Sequence, residues 1–488
     1  MQELQLTFIT SPMIHRWMRI LTKMEQAGTF TLVDLSEQMA ISHRTLIKDI
    51  QSIRDHFGDS ISLNSSNIGF QFEECDRVRY KEQKEQLLAN EPLFEIMSAI
   101  FYGETVDLDE LAHRYSYGES TLRRFFARVR PTLKEYGLKL HATPVALTGD
   151  EGSIRKFFFD FYYIAEPTPH TIRPPEGLHQ SVVQSLAERL GKYEVGTGLS
   201  ISAFYSLLYL VVVRVQQEEL ISVPKWIQEQ VYKEKDFELL ELLVPIIEKD
   251  YGVTLPKEEL AWLHLIIVSK RTINRLDQET LFLKRFNPWL NIAKVSTSYF
   301  SDPVFDRWDR KVLETFLTSF LVSRKLNDVT CPTWNKQQKE TIITIQKEHP
   351  IAYNKNLAFL HRYQTELAFS SMTLEESAVS FTIFSDLLLR YYQPVKKVLF
   401  LLEGDYIRVQ TIRLQALRVL GSQHELIFVS LHELSEAWLK SKETDLIVTN
   451  YRPYLFDYSL KTDYILLHTN PTGADWQRVV HALNPFIE

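Results

Sequence analysis

The sequence predicts a multidomain, mainly α chain: a duplicated helical unit with a hairpin tail, then two helical bundles, then a small C-terminal α/β domain with a parallel sheet. Three observations carry this. One constant offset keeps apolar positions in phase across two N-terminal segments; the middle holds helical stripes and few strand signals; the C-terminal part alternates short apolar runs with helical ones. The 488 residues are 45% hydrophobic and 24% charged, which suits several buried cores and not a disordered chain.

The first unit starts with Trp17, Ile20, Leu21 and Met24, which form one apolar stripe at helical spacing. Thr31 to Ser36 opens a second helix with a capping residue, and Ser42 is a good N-cap for a third. On that third helix Leu46, Ile50 and Ile53 point inward, leaving Arg44, Lys48, Gln51 and Ser52 outside. Asp49 and Asp55 are expected to dilute the positive charge of Arg44, Lys48 and Arg54. Ile61 to Leu63 and Ile68 to Phe72 flank a turn-rich stretch and read as a β-hairpin. Three short helices with a tight turn before the third, followed by such a wing, are the winged helix-turn-helix layout, whose third helix enters the DNA major groove.

An offset of 76 residues carries Ile20 onto Ile96, Leu21 onto Met97, Met24 onto Ile100, Leu32 onto Leu108, Leu35 onto Leu111, Leu46 onto Leu122, Ile50 onto Phe126 and Ile53 onto Val129. Leu138 to Leu140 and Val145 to Leu147 then supply a second hairpin, so the unit is a tandem winged helix-turn-helix. From Arg114 to Lys139 the second copy carries seven basic residues against two acids, Glu119 and Glu135. Arg124 and Arg128 lie one turn apart with Arg123 beside them, a face able to neutralise phosphates and to set a guanidinium on a guanine edge. The expected duplex-DNA contacts are Arg44, Thr45, Lys48 and Gln51 in the first copy, and Ser120, Thr121, Arg123, Arg124 and Arg128 in the second. The net charge of -7 excludes a general nucleic-acid coat but not a cationic face on one domain.

Residues 149 to 391 are predicted helical, with Pro167 to Gly177 as a linker or loop. An offset of 117 maps Leu240 onto Leu357, Leu243 onto Leu360, Glu258-Glu259 onto Glu375-Glu376, Ala261 onto Ala378 and Ile266 onto Ile383, which implies two related helical bundles. His264, close to an acidic helix start, is either a phosphoacceptor or a satisfied core histidine. His349, His361 and His170 have plainer surroundings. No nucleophile elbow, phosphate-cradling glycine loop or metal spacing is present, so no catalytic residue, metal or cofactor is expected. Cys75 and Cys331 stand far apart, no apolar run is long enough to span a membrane and no secretory signal opens the chain; a cytoplasmic protein is expected.

Val398 to Leu402, Leu426 to Val429, Leu446 to Val448 and Tyr464 to Leu467 are continuous apolar runs of the kind buried parallel strands need. Ile407 to Leu420, Leu431 to Lys440 and Ala474 to Leu483 read as helices, giving a small doubly wound α/β domain. Its first strand-to-helix loop, Leu402 to Tyr406, offers no cysteine nucleophile, and its acids would repel phosphate; packing against another chain is the expected role.

This order of parts resembles the Mga/AtxA family of Gram-positive virulence regulators, most closely in Leu35 to Ile50, Leu147 to Phe157 and Pro256 to Arg271. The resemblance implies two helix-turn-helix domains (1–80 and 81–160), two phosphotransferase-regulation domains (161–283 and 284–393) and a domain resembling the IIB component of sugar phosphotransferase systems (394–488). It also implies promoter binding as a homodimer, held through the regulation or C-terminal domains, and control by phosphotransferase phosphocarrier proteins. His264 matches the histidine of the regulation helix; position 381 of the second copy is Phe, which leaves His349 and His361 as the further phosphorylation candidates. The IIB-like domain lacks the phosphocysteine and is not expected to transfer phosphate. Related regulation domains also occur in RNA-binding antiterminators, the alternative reading; winged helix-turn-helix pairs favour duplex DNA, because single-stranded RNA is usually read on stacking platforms.

Overall fold

The computed structural model describes residues 1–66, 69–186, 195–429, 444–457 and 462–483. The chain divides into two compact units, Met1–Tyr299 with Glu314–Thr382, and Phe300–Leu313 with Ile383–Glu488. Both are dominated by helices, and each sheet is small.

In the first unit, helix Pro12–Ala27 starts behind Ser11, whose hydroxyl accepts the Ile14 N–H, and has proline in its first turn, where a missing N–H costs nothing. It buries Trp17, Ile20, Leu21 and Met24. Gly28 ends it at positive φ. Thr31 caps Leu32–Met39, and Ser42 caps His43–Phe57. Ile61–Ser66 and Gly69–Glu74 pair antiparallel, and Thr29–Phe30 adds a third strand on the far side of Gly69–Glu74. That third strand had no counterpart in the hairpin expected from the sequence. Asn67 and Ile68, in the expected wing, lie outside the described residues.

The second copy repeats the plan with Pro92–Phe101, Leu108–Arg114 and Glu119–Lys134, then the hairpin Lys139–Ala142 and Val145–Thr148. Its in-phase positions Ile96, Met97, Leu108, Leu111, Leu122, Phe126 and Val129 are all at most 2% exposed, so one core is built twice. Helix Arg77–Leu88 joins the copies; Tyr80 packs on Phe57 and Phe72 and donates its hydroxyl to Glu25 Oε1 at 2.5 Å.

The first ten residues, which the sequence marked only as lacking a signal, are structural. Phe8 and Ile9 are fully buried, and Phe8 sits edge-on to Phe161 at 4.8 Å. The Glu91 carboxylate accepts the Thr10 backbone N–H at 2.6 Å and its hydroxyl at 2.7 Å. The segment leading into the first module is thereby fastened to the second.

Behind the second wing, Asp150 caps Glu151–Phe159, which runs on into a π-helical turn, Asp160–Ile164. Residues 165–175 form a loop, shorter at its end than the expected Pro167 to Gly177, because Glu176 already opens helix Glu176–Leu186. The helices beyond it carry the middle repeat. Lys235–Glu241 and Val244–Tyr251 correspond, at the offset of 117, to Pro350–Arg362 and Gln364–Leu367. Pro245 sits in the first turn of its helix, where a missing N–H costs nothing. The acidic helix starts do align, in Lys257–Val268 and Leu374–Tyr391, and Ala261 and Ala378 are both fully buried.

In the second unit four parallel strands are ordered Glu425–Phe428, Lys397–Leu401, Leu446–Thr449, Tyr464–Leu466. Val398, Phe400 and Val448 point to one face, where they meet Ile412, Ala416, Trp476 and Val479 of helices Tyr406–Leu420 and Gly473–Leu483. Leu399, Leu401 and Ile447 point to the other. Burial on both faces explains why these strands read as unbroken apolar runs. The expected helix Leu431 to Lys440 lies outside the described residues.

Candidate nucleic-acid interface

In the first copy Arg44 and Lys48 are exposed one turn apart on His43–Phe57, with Ile47 between them 53% exposed. Gln51 is exposed but donates to Asp55 Oδ1 at 2.8 Å. Thr45 is half-buried, and its hydroxyl is 2.9 Å from that of Ser42, the N-cap, so it belongs to the cap as much as to the outward face. Asp49 corrects the sequence reading. It is 6% exposed and turned inward, bridging Arg16 Nε at 2.9 Å and Nη2 at 3.1 Å and accepting from Trp17 Nε1 at 3.3 Å. A buried carboxylate paired in this way does not dilute the outer charge. Arg54 donates to the Leu63 carbonyl at 2.7 Å and so fixes the wing to the helix.

In the second copy Ser120, Arg123, Arg124 and Arg130 are exposed and Thr121 is half-buried. Arg123 pairs loosely with Glu119 at 3.4 Å, an exposed i,i+4 pair worth little. Arg124 makes no ion pair among the described residues and is the least committed cation on the face. Arg128 is exposed as well, but it is also engaged within the fold. Its guanidinium donates to the Ile9 carbonyl, leans over the Phe125 ring at 5.9 Å, and burial lowers its pKa. It lines a cleft of about 410 Å³ with His15, Arg16 and Pro12 of the first copy's leading helix. Burial, then Arg19, Arg128 and Arg16, hold His15 below its ordinary pKa. Sequence reasoning missed this second cationic surface. The signal was there, since His15, Arg16 and Arg19 flank the Trp17 and Ile20 stripe, but the reading went to the third helices.

The candidate histidines lie apart. His264 is 1% exposed, with Phe237 and Phe286 each 6.1 Å from its ring, and neither ring nitrogen has a partner. Burial first, then Arg285, pushes its pKa down to about 3. A neutral ring sealed among aromatics is what a core residue looks like, so an open phosphoacceptor is not found here. Phe381, its counterpart, is fully buried too. His349 is half-buried at the junction of Lys339–Glu348 and Pro350–Arg362, and His361 is exposed in the last turn of the latter. His170 faces the Leu88 and Ala89 carbonyls at 3.2 and 3.0 Å.

A buried ion network links the second module to the helix that carries His264. Arg155, fully buried, meets Glu259 at 2.5 Å and Glu151 at 2.7 Å, and Arg214 reaches Glu151 at 2.7 Å. Glu259 also accepts the Ile221 N–H at 2.8 Å, so its charge is fully used.

In the C-terminal loop Asp405 caps Tyr406–Leu420 and Glu403 accepts the Tyr454 hydroxyl at 2.5 Å; both acids serve the fold. Among the described residues no group of three or more His, Cys, Asp or Glu could hold a metal ion, and no helix is long and apolar enough to cross a membrane. Burial raises the Cys331 thiol to about 11, and Cys75 is exposed.

Comparison with known proteins matches residues 13–68 to the M protein trans-acting positive regulator (MGA) HTH domain, 77–162 to the Mga helix-turn-helix domain and 180–270 to the PRD domain. Similar proteins include the capsule synthesis positive regulator AcpB of Bacillus anthracis, 22% identical over 76% of this chain and 79% of its own length. A putative trans-acting regulator of Streptococcus pneumoniae is 21% identical over 90% of this chain and 91% of its own. The capsule synthesis positive regulator AcpA of Bacillus anthracis is 24% identical over 53% and 55%.

Proposed function

We propose, for a chain with the domain content of the Mga/AtxA-like transcription regulators, that it binds promoter DNA through its two winged helix-turn-helix modules and acts as a regulator rather than an enzyme. The observation that carries this is the pair of third helices, each packed on a repeated core and each presenting exposed cations: Arg44 and Lys48 on one, Arg123 and Arg124 on the other. Thr45, Gln51, Ser120, Thr121 and Arg128 complete the proposed contact set, with Arg128 positioning the leading helix of the first module as well as facing DNA. Two recognition helices in one rigid unit suit two grooves of one duplex.

The test is binding to duplex DNA from upstream of the gene as salt rises, beside a leader RNA hairpin. Affinity for the duplex should fall linearly with log salt, by about 0.9 in log units per neutralised phosphate. An affinity indifferent to salt, or a preference for the hairpin, would overturn the reading.

Regulation is proposed through the helical domains at 161–283 and 284–393, with phosphocarrier proteins as donors. The exposure of His361 and the half-burial of His349 support them as acceptors, whereas His264 would require its helix to open first. Self-association is proposed through the domain at 394–488, supported by the apolar residues that Tyr406–Leu420 leaves in solvent: Tyr406 75%, Ile407 71% and Leu414 64% exposed.

A further inference from the structure

Like charges that a fold gathers around a space with no acid on its walls repel one another, so such a place gains from an anion. The cleft of about 410 Å³ between the two modules is of this kind, lined by Leu6, Thr7, Pro12, His15, Arg16 and Arg128. His15 and Arg16 come from the leading helix of the first module, and Arg128 from the third helix of the second. None of the six is acidic. Pro12 opens a helix of 16 residues, and the N-terminal end of its dipole adds partial positive charge.

The carboxylates around the cleft are committed elsewhere. Asp49 is held by Arg16 at 2.9 and 3.1 Å. Glu3 lies 3.9 Å from Arg19 Nε. Glu91, the acid that acts on Arg128, is buried and accepts the Thr10 N–H and hydroxyl at 2.6 and 2.7 Å and the Ser11 N–H at 3.3 Å. Arg128 forms no ion pair among the described residues; its guanidinium has only the Ile9 carbonyl and the Phe125 ring. The charges acting on half-buried His15 are all positive: Arg19 and Arg16 on its own helix and Arg128 across the cleft. Arg128 also stands one turn beyond Arg124, both exposed, so the cleft continues the proposed DNA face.

We infer that His15, Arg16 and Arg128 close on one backbone phosphate of the bound duplex, which the two modules thereby hold between them. This rests on the DNA reading proposed above and extends it from the third helices to the leading helix of the first module. The charge fits a phosphodiester, which carries one negative charge. Arg128 supplies the full countercharge, Arg16 a guanidinium already partly compensated by Asp49, and His15 a ring that takes up a proton when an anion enters beside it. Duplex binding is then linked to proton uptake and tightens as pH falls. Because the phosphate touches both modules, it also fixes the angle at which their third helices meet the grooves.

The experiment is fluorescence anisotropy of the full chain with the upstream duplex at pH 8 and pH 6 and constant ionic strength, for wild type, His15→Gln, Arg128→Gln and the double variant. Wild type should bind about threefold or more tightly at pH 6, and His15→Gln should lose that gain. Once Arg128 is replaced, replacing His15 should add little, because one phosphate is lost only once. His15→Gln leaves every hydrogen bond named here in place, so it remains measurable if Arg128→Gln, which frees the Ile9 carbonyl, does not fold. Additive losses put the two residues on separate phosphates and overturn the shared site. A chain that binds no duplex at either pH fails the DNA reading itself; duplex binding whose pH dependence survives in His15→Gln fails the cleft alone. In a histidine NMR titration the duplex should raise the His15 pKa, and inorganic phosphate at matched ionic strength should not. A saturable rise with phosphate alone assigns the cleft to a free anion and overturns the duplex as its occupant.

Discussion

Replacing His264 by phenylalanine, the residue at the matching position 381, should remove an acid-sensitive step from the helix that carries it. In the fold the imidazole is held down to about 3, while in an opened or unfolded chain it returns to its ordinary 6.5. Between those values the open chain binds a proton that the closed one refuses, so acid favours opening. The stabilisation is complete above 6.5 and is lost as pH falls toward 3. One pKa unit is about 1.4 kcal/mol, so lowering pH from 7.5 to 4.5 should cost wild type about 2.5 to 3 kcal/mol through this group alone. The assay is amide hydrogen exchange over Lys257–Val268, read as an opening free energy at both pH values in wild type and His264→Phe. The comparison is the acid-induced change within each protein; a different fit of the larger ring shifts both pH values alike and cancels. The variant should lose about 2.5 to 3 kcal/mol less than wild type. Equal losses would refute the claim that His264 is sealed, and with it the claim that a phosphoryl donor must wait for the helix to open.

Arg124→Ala together with Arg123→Ala should weaken duplex binding and make the salt slope shallower by about 1 per cation that contacts phosphate, measured by fluorescence anisotropy; an unchanged slope removes these residues from the interface. Arg155→Met should cost about 3–5 kcal/mol in calorimetric unfolding, because Glu259 stays buried and charged without its partner; a loss under about 1 kcal/mol would show that water takes its place. Gly69→Ala should destabilise the first wing by about 1–3 kcal/mol in exchange protection of Gly69–Glu74, since φ is +127° and a Cβ there would meet the Phe30 carbonyl oxygen; equal protection counts against that strain. Ile407→Glu with Leu414→Glu should shift the chain toward monomer in sedimentation if the exposed helix face carries self-association, and an unchanged mass places the contact elsewhere.

The elements with strict periodicity were legible before any coordinates. The third helices, their inward Leu46, Ile50, Ile53 and Leu122, Phe126, Val129, and the four parallel strands all follow from local spacing. What stayed hidden was set by partners distant in sequence. Asp49 reads as an outward acid until Arg16 and Trp17, some thirty residues earlier, turn it inward. Arg128 reads as a free cation until the Ile9 carbonyl, more than a hundred residues earlier, accepts a hydrogen bond from it. His264 carries no mark in sequence that separates a sealed ring from a reactive one; Phe237 and Phe286, from two other helices, decide it.

One helix joins the two halves of the proposed regulator. Lys257–Val268 carries Glu259 in its first turn and His264 within its body. Glu259 holds Arg155, and Arg155 sits on Glu151–Phe159, the helix that follows directly from the second wing. Nothing in that line is solvent-exposed, and a packed core moves between discrete arrangements rather than yielding by degrees. An event that exposes His264 must displace its helix, and displacing that helix either breaks a buried ion pair or carries Arg155 along with it. Breaking the pair is the costlier outcome by the several kcal/mol that an unpaired buried carboxylate demands. The cheaper outcome moves the base of the second winged helix-turn-helix module, so the buried charge would convert a local opening at the histidine into a displacement at the wing.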